Sequence, residues 1–144
     1  MVSLHNVGES FCRKKDKEVM GYKAVDVAKY VVNYCDGTLN KPISNLQLQK
    51  LLYYIQRKYL VDFSGHECFD DEICAWKFGP VVPSVYKKYC SKGSFPISKI
   101  DCDCVVEHND IDIINAVVNE KIKMSPWDMV ADTHQKGKAW AITY

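Results

Sequence analysis

Ile43-Ser44-Asn45-Leu46-Gln47-Leu48-Gln49-Lys50-Leu51-Leu52-Tyr53-Tyr54-Ile55-Gln56-Arg57-Lys58-Tyr59-Leu60-Val61 runs without glycine or proline, and its apolar residues recur at helical spacing. Ile43 supplies a staple residue, and Ser44 and Asn45 are N-cap candidates. At about 100° per residue, Leu48, Leu51, Leu52, Ile55 and Tyr59 form one stripe, and Leu46, Tyr53 and Leu60 a second line more than a quarter turn away. Gln47, Lys50, Arg57 and Lys58 fall on the remaining arc, with Tyr54 beside them. A helix apolar over so wide an angle packs on two sides, so residues 45–61 are expected at the centre of the fold. Gln49 and Gln56 point between the two apolar lines. Their amides either satisfy backbone groups inside the core or contact a polar ligand or partner.

On the N-terminal side, Ala24, Val27, Ala28, Val31, Val32 and Cys35 predict a packing helix stopped by Asp36-Gly37. Residues 1–21 show no sustained period and read as a leader, leaving 22–144 as one domain. On the C-terminal side, residues 72–78 alternate loosely enough for a short strand, ended by Gly79-Pro80. Pro83 opens a helix with Val82, Val85, Tyr86 and Tyr89 on its inner face and Lys87 and Lys88 outside; Gly93 closes it. Residues 94–108 are a connector, with 102–107 a second candidate strand. Asn109-Asp110 is expected to cap a helix carrying Ile111, Ile114, Val118 and Ile122. Ser125-Pro126-Trp127-Asp128 reads as N-cap, N1 proline and acidic N3, starting a short helix with Trp127, Val130, Ala131 and His134 on its inner face. The expected fold is mainly α: about five helices around 45–61, with a small β element.

The whole chain, 144 residues with 47% hydrophobic and 26% charged content, supports one ordinary core and excludes a disordered tail or a disulfide-dependent miniprotein. Nineteen basic residues, only two of them arginine, against eighteen acidic ones give a net charge of +1. That balance supplies neither a long-range field nor a phosphate-reading set, so nucleic-acid binding is not the favoured reading. Seven cysteines are an odd number without a C-x-x-C, and the opening stretch lacks an apolar signal region. No run is long enough to span a membrane. Reduced thiols and a cytoplasmic location are expected. His66-Cys68-Cys74 and Cys102-Cys104-His108 have poor spacing for zinc, so no metal and no cofactor are expected.

No phosphate loop, nucleophile elbow or metalloprotease motif is present. His134 on an apolar face reads as a hydrogen-bonded core histidine. A Cys-His pair meeting only in space leaves a small enzyme or ligand-binding domain as the alternative, with a nucleic-acid-binding regulator behind it.

Three segments point further. The stretch from Ile43 to Tyr54 is followed by Ala75-Trp76-Lys77-Phe78-Gly79-Pro80-Val81-Val82-Pro83-Ser84-Val85-Tyr86, and later by Thr133-His134-Gln135 and Trp140. In order and spacing this resembles the Panacea domain family, the SocA-like group also found as phage-associated and prophage GepA proteins, over residues 22–140. The resemblance implies a compact helical domain that is not an enzyme. It also implies an antitoxin that neutralises a co-encoded protein toxin by direct contact, in some relatives as an adaptor for an ATP-dependent protease. Gln49, Gly79, Pro80, Pro83, Tyr86, Thr133, His134 and Trp140 match the family motifs and are expected to hold the fold. Trp76, Phe78, Val81, Lys87, Lys88 and Tyr54 are expected on the outer surface as partner contacts, because buried aromatic anchors supply affinity where long-range charge steering is absent.

Overall fold

A computed structural model describes residues 21–99 and 103–134. Five α-helices run through them: α1 (Ala24–Asn33), α2 (Asn45–Asp62), α3 (Pro83–Tyr89), α4 (His108–Lys121) and α5 (Pro126–Thr133). One antiparallel hairpin, β1 (Cys74–Trp76) and β2 (Gly79–Val81), precedes α3. Cys74 faces Val81, Ala75 faces Pro80 and Trp76 faces Gly79. Residues 1–20 of the leader, Gln135 and Trp140 lie outside the described residues.

The capping chemistry of α2 is complete. The Gln47 amide N–H donates to Ser44 Oγ at 3.3 Å, and the Ser44 N–H donates back to Gln47 Oε1 at 3.0 Å. From there α2 packs against α1, α3, α4, α5 and β2, which makes it the hub of the core. Leu48, Leu51, Leu52 and Ile55 have no exposed surface, and Tyr53 and Tyr59 are buried with them. The two-sided apolar pattern thus has its expected outcome, with more of the circumference enclosed than the pattern implies.

The other helices join this hub through matched faces and side-chain bonds. α1 buries Ala24, Val27, Ala28, Val31 and Val32, and its first N–H is capped from a distance by Asp71 Oδ1 at 2.9 Å. Asp36-Gly37 does not stop the chain as expected; a five-residue π-helical turn, Tyr34–Thr38, carries the winding through it. α5 begins on Ser125, whose Oγ accepts from the Asp128 N–H at 3.1 Å, with Pro126 at N1. α4 is held by tyrosines. Tyr22 and Tyr59 hydroxyls both donate to Asp110, Tyr30 donates to Asn115, and Tyr34 to Asn119. Tyr22 also accepts from the Glu107 N–H, and its backbone bonds Cys68 and Asp70.

Three further local expectations are corrected. Gly79-Pro80 does not end the β element but belongs to its second strand, because a turn at Lys77-Phe78 folds the chain back. Pro80 is tolerated there because a two-stranded ribbon consists only of edges. Residues 103–107 form no strand; Val106 is buried, but no strand partner lies beside them. α4 starts at His108 with Glu107 as N-cap, so Asn109 and Asp110 sit inside the first turn, where Asp110 serves the tyrosines instead of a cap.

Leu52, fully buried on the hub helix, measures the core. Leu52→Ala is expected to lower unfolding free energy by about 2–5 kcal/mol in denaturant melts; a loss below about 1 kcal/mol would remove α2 from the centre.

Candidate functional site

The buried surface of α2 carries three long polar side chains, and each is bound to a backbone segment of a neighbouring loop or strand. Gln56 accepts from the Cys68 N–H at 2.8 Å and the Phe69 N–H at 3.2 Å, and donates to Phe69 O at 2.8 Å. Gln49 accepts from the Val82 N–H at 2.9 Å and donates to Asn45 Oδ1 at 2.9 Å; Asn45 in turn donates to Tyr86 O. Both glutamines therefore serve the core, the first of the two readings above. Lys50 is the correction. Assigned by its angle to the solvated arc, it is 0% exposed, and its Nζ donates to Pro80 O at 3.1 Å. Burial lowers its pKa to about 8.

Gly79 makes this approach possible. With φ at +109°, it places a bare Cα where a Cβ would sit 2.9 Å from Thr133 Oγ1 and 3.1 Å from Lys50 Cε. Thr133 is fully buried and donates to Val130 O at 3.0 Å. His134, the next residue, is half-buried, and both that burial and the nearby Lys50 charge depress its pKa. The family-motif residues Gln49, Gly79, Pro80 and Thr133 thus meet at one junction of α2, the hairpin and α5, with His134 beside it.

Outside this junction lies an open groove of about 320 Å³ between the start of α2, the hairpin and α3. Trp76 (40% exposed) and Tyr86 (39%) meet edge to face at 5.2 Å across it. Phe78 (45% exposed) touches Trp127 (62%) in the same way at 5.6 Å. The structure thus brings together Trp76 and Phe78, as expected, and adds Tyr86 and Trp127, both expected to face inward. Tyr86 turns out because α3 buries Val85 and Tyr89 instead. Trp127 and Ala131 are exposed because α5 is rotated so that Met129, Val130 and Thr133 face the core. Lys87 and Lys88 are exposed on α3, as expected.

Two proposed contact residues are not at the surface. Tyr54 is 4% exposed: its hydroxyl donates to Asp132 Oδ2 at 2.6 Å, and the Lys121 ammonium lies 4.5 Å from its ring centroid. Burial and Asp132 together raise its pKa. Val81 is 6% exposed, buried like the rest of β2 and part of the groove's lining. Helix angle and turn proximity alone put both outside, whereas Tyr54 is tied to α5 through Asp132 and Val81 is buried within the hairpin's second strand.

A thiol nucleophile requires a lowered pKa. The buried Cys35 thiol is instead pushed up to about 12, and Cys68 is raised further by burial and Asp110. Among the described residues, no three His, Cys, Asp or Glu side chains are grouped to hold a metal ion, and no helix is long and apolar enough to cross a membrane.

Lys50 has a measurable signature. Its pKa falls from 10.5 to about 8 on folding, so the unfolded chain binds the proton more tightly, and stability rises with pH between those values. Relative to Lys50→Met, the wild-type chain is expected to gain about 2–3 kcal/mol of unfolding free energy between pH 7 and pH 10. Parallel pH profiles for the two proteins in denaturant melts would put the ammonium in water.

Comparison with known proteins bears on the whole arrangement. The family described as Antitoxin SocA-like, Panacea domain matches residues 48–141. The chain is 37% identical over 118 residues to antitoxin SocA of Caulobacter vibrioides (strain NA1000 / CB15N), an alignment covering 74% of this chain and 62% of that protein. The chain therefore spans less than two thirds of this relative's length. No solved structure matches. The family match takes in most of α2, the hairpin, α3, α4 and α5, all the elements that build the groove and the junction beneath it, and on that match the chain belongs to the SocA-like antitoxin, Panacea domain family.

Proposed function

We propose that this protein is an antitoxin that neutralises a protein toxin by direct, non-catalytic contact, and that the aromatic face around the groove is the contact surface. The observation that carries the reading is the grouping of Trp76, Tyr86, Phe78 and Trp127 on one face of a chain from an antitoxin family. Aromatic rings that are rigidly mounted and partly exposed supply large contact area at small entropic cost, which is how a few residues come to dominate an interface. The mounting is rigid here. The hairpin bearing Trp76 is tied to α2 through Lys50 and Pro80, and the start of α3 through Gln49 and Val82. Lys87 and Lys88, exposed on the helix that carries Tyr86, add charge that sets orientation and association rate more than affinity.

The test uses the product of a neighbouring gene whose expression arrests growth without this chain. Trp76→Ala and Phe78→Ala are expected to keep the wild-type melting midpoint to within a few degrees, because both rings are substantially exposed, and to weaken capture of that product at least about tenfold. Folded variants that bind and protect fully would move the interface elsewhere. Following the toxin's level in the same cells separates stable capture from delivery to an ATP-dependent protease: in the first case the toxin persists, and in the second it disappears.

A further inference from the structure

The groove has one electrostatic sign. The charged side chains that line it are Lys50 and Lys77, and among the described residues no carboxylate lines it. Two other surface hollows differ in this respect: one combines Lys41 and Lys123 with Glu120, the other Lys29 with Asp26 and Asp103. Lys50 is also a buried cation that no carboxylate pairs with among the described residues. Pro80 O takes one of its three N–H donors. Taking an ammonium out of water without a counter-charge is costly, and an apolar side chain of similar volume would fill the same space more stably. Lys50 lies beneath the groove wall, so an anion seated in the groove would sit on the side of this unmatched charge. Beside that charge the walls are apolar and aromatic, with Trp76 and Tyr86 in edge-to-face contact and Val81 between hairpin and helix.

Resting on the reading of the aromatic face as the partner surface, we propose that the groove is a recognition pocket for a partner-protein segment presenting a carboxylate next to an aromatic or aliphatic side chain. The carboxylate pairs with the exposed Lys77 and is drawn by the Lys50 charge beneath, and the apolar side chain packs against Trp76 and Tyr86. A carboxylate in this low-dielectric setting makes charge-assisted hydrogen bonds, which are stronger than neutral ones, and the rings exclude water around it. Selectivity follows from the same chemistry: a neutral amide of equal shape leaves the cation unmatched, and a basic segment is repelled.

The test needs no knowledge of the partner. The probe is 3-phenylpropionate, with 3-phenylpropanamide as its neutral isostere, titrated into the nitrogen-15-labelled full chain and followed by NMR. The acid is expected to shift the Trp76 and Phe78 backbone signals and to bind about tenfold more tightly than the amide. Lys50→Met is expected to erase that preference. Should Lys50→Met fail to fold, Lys77→Met, altered at the surface, is expected to reduce the preference at least about threefold. Equal binding of acid and amide, groove signals unmoved by either, or a preference unchanged in the lysine variant overturns the proposal. Failure here and failure of the partner surface remain distinguishable. Loss of partner capture in Trp76→Ala with no acid preference keeps the surface and discards the carboxylate. Acid preference with full capture by both Trp76→Ala and Phe78→Ala discards the partner segment as occupant.

Discussion

The hydrogen bonds from the buried polar side chains of α2 to the backbone around it organise this molecule. A strand, a loop and the start of a helix all bring unpaired N–H and C=O groups against the hub, where no water can satisfy them. Gln56 meets the Cys68-Phe69 turn, Lys50 the Pro80 carbonyl and Gln49 the Val82 N–H. Each bond has a side chain at one end and main chain at the other, so it sets the position of a segment rather than merely burying area. An all-leucine α2 would still be apolar on every side, yet the hairpin could slide along it. The groove and its aromatic rim take their shape from this anchoring.

Much of this architecture was legible in the residues, for identifiable reasons. α2 was readable because an uninterrupted run with two apolar lines has few other interpretations, and Ser44 and Gln47 make the capping box that such a start invites. Ser125-Pro126 was equally decisive for α5 because capping is local. What escaped was set by tertiary contacts. Lys50 and Tyr54 lie at angles that are solvated on a helix packed from two sides, but α2 is enclosed by the hairpin and α5 as well. The rotation of α5 escaped for a related reason. Eight residues give a periodic pattern with two defensible faces, and Gly79 chooses between them by admitting Thr133 rather than Trp127 to the junction.

The candidate site was half-visible. Trp76 and Phe78 stand next to a glycine-proline pair, which predicts a turn presenting side chains outward, and they are exposed. Helical spacing puts Tyr86 with Val82, Val85 and Tyr89 and Trp127 with Val130, Ala131 and His134 on inner faces, yet both rings are exposed. Their exposure becomes intelligible once each ring is seen to pair with an aromatic on the hairpin, Tyr86 with Trp76 and Trp127 with Phe78. The cation beneath gave no sequence signal, since a lysine among glutamines on a helix looks like every solvated lysine.

Tyr22 illustrates a mechanical property of the design. Its backbone bonds Cys68 and Asp70, and its hydroxyl bonds Asp110 and Glu107, so one residue joins the start of the described chain to two segments far along it. Tension entering the domain ahead of α1 would reach this node first. Because its bonds run to separate segments, they share the load in parallel and must give way together, instead of opening one after another as the end of a lone helix would. A pull from that side is therefore resisted at the point of entry, before it can be transmitted to α2 or to the groove.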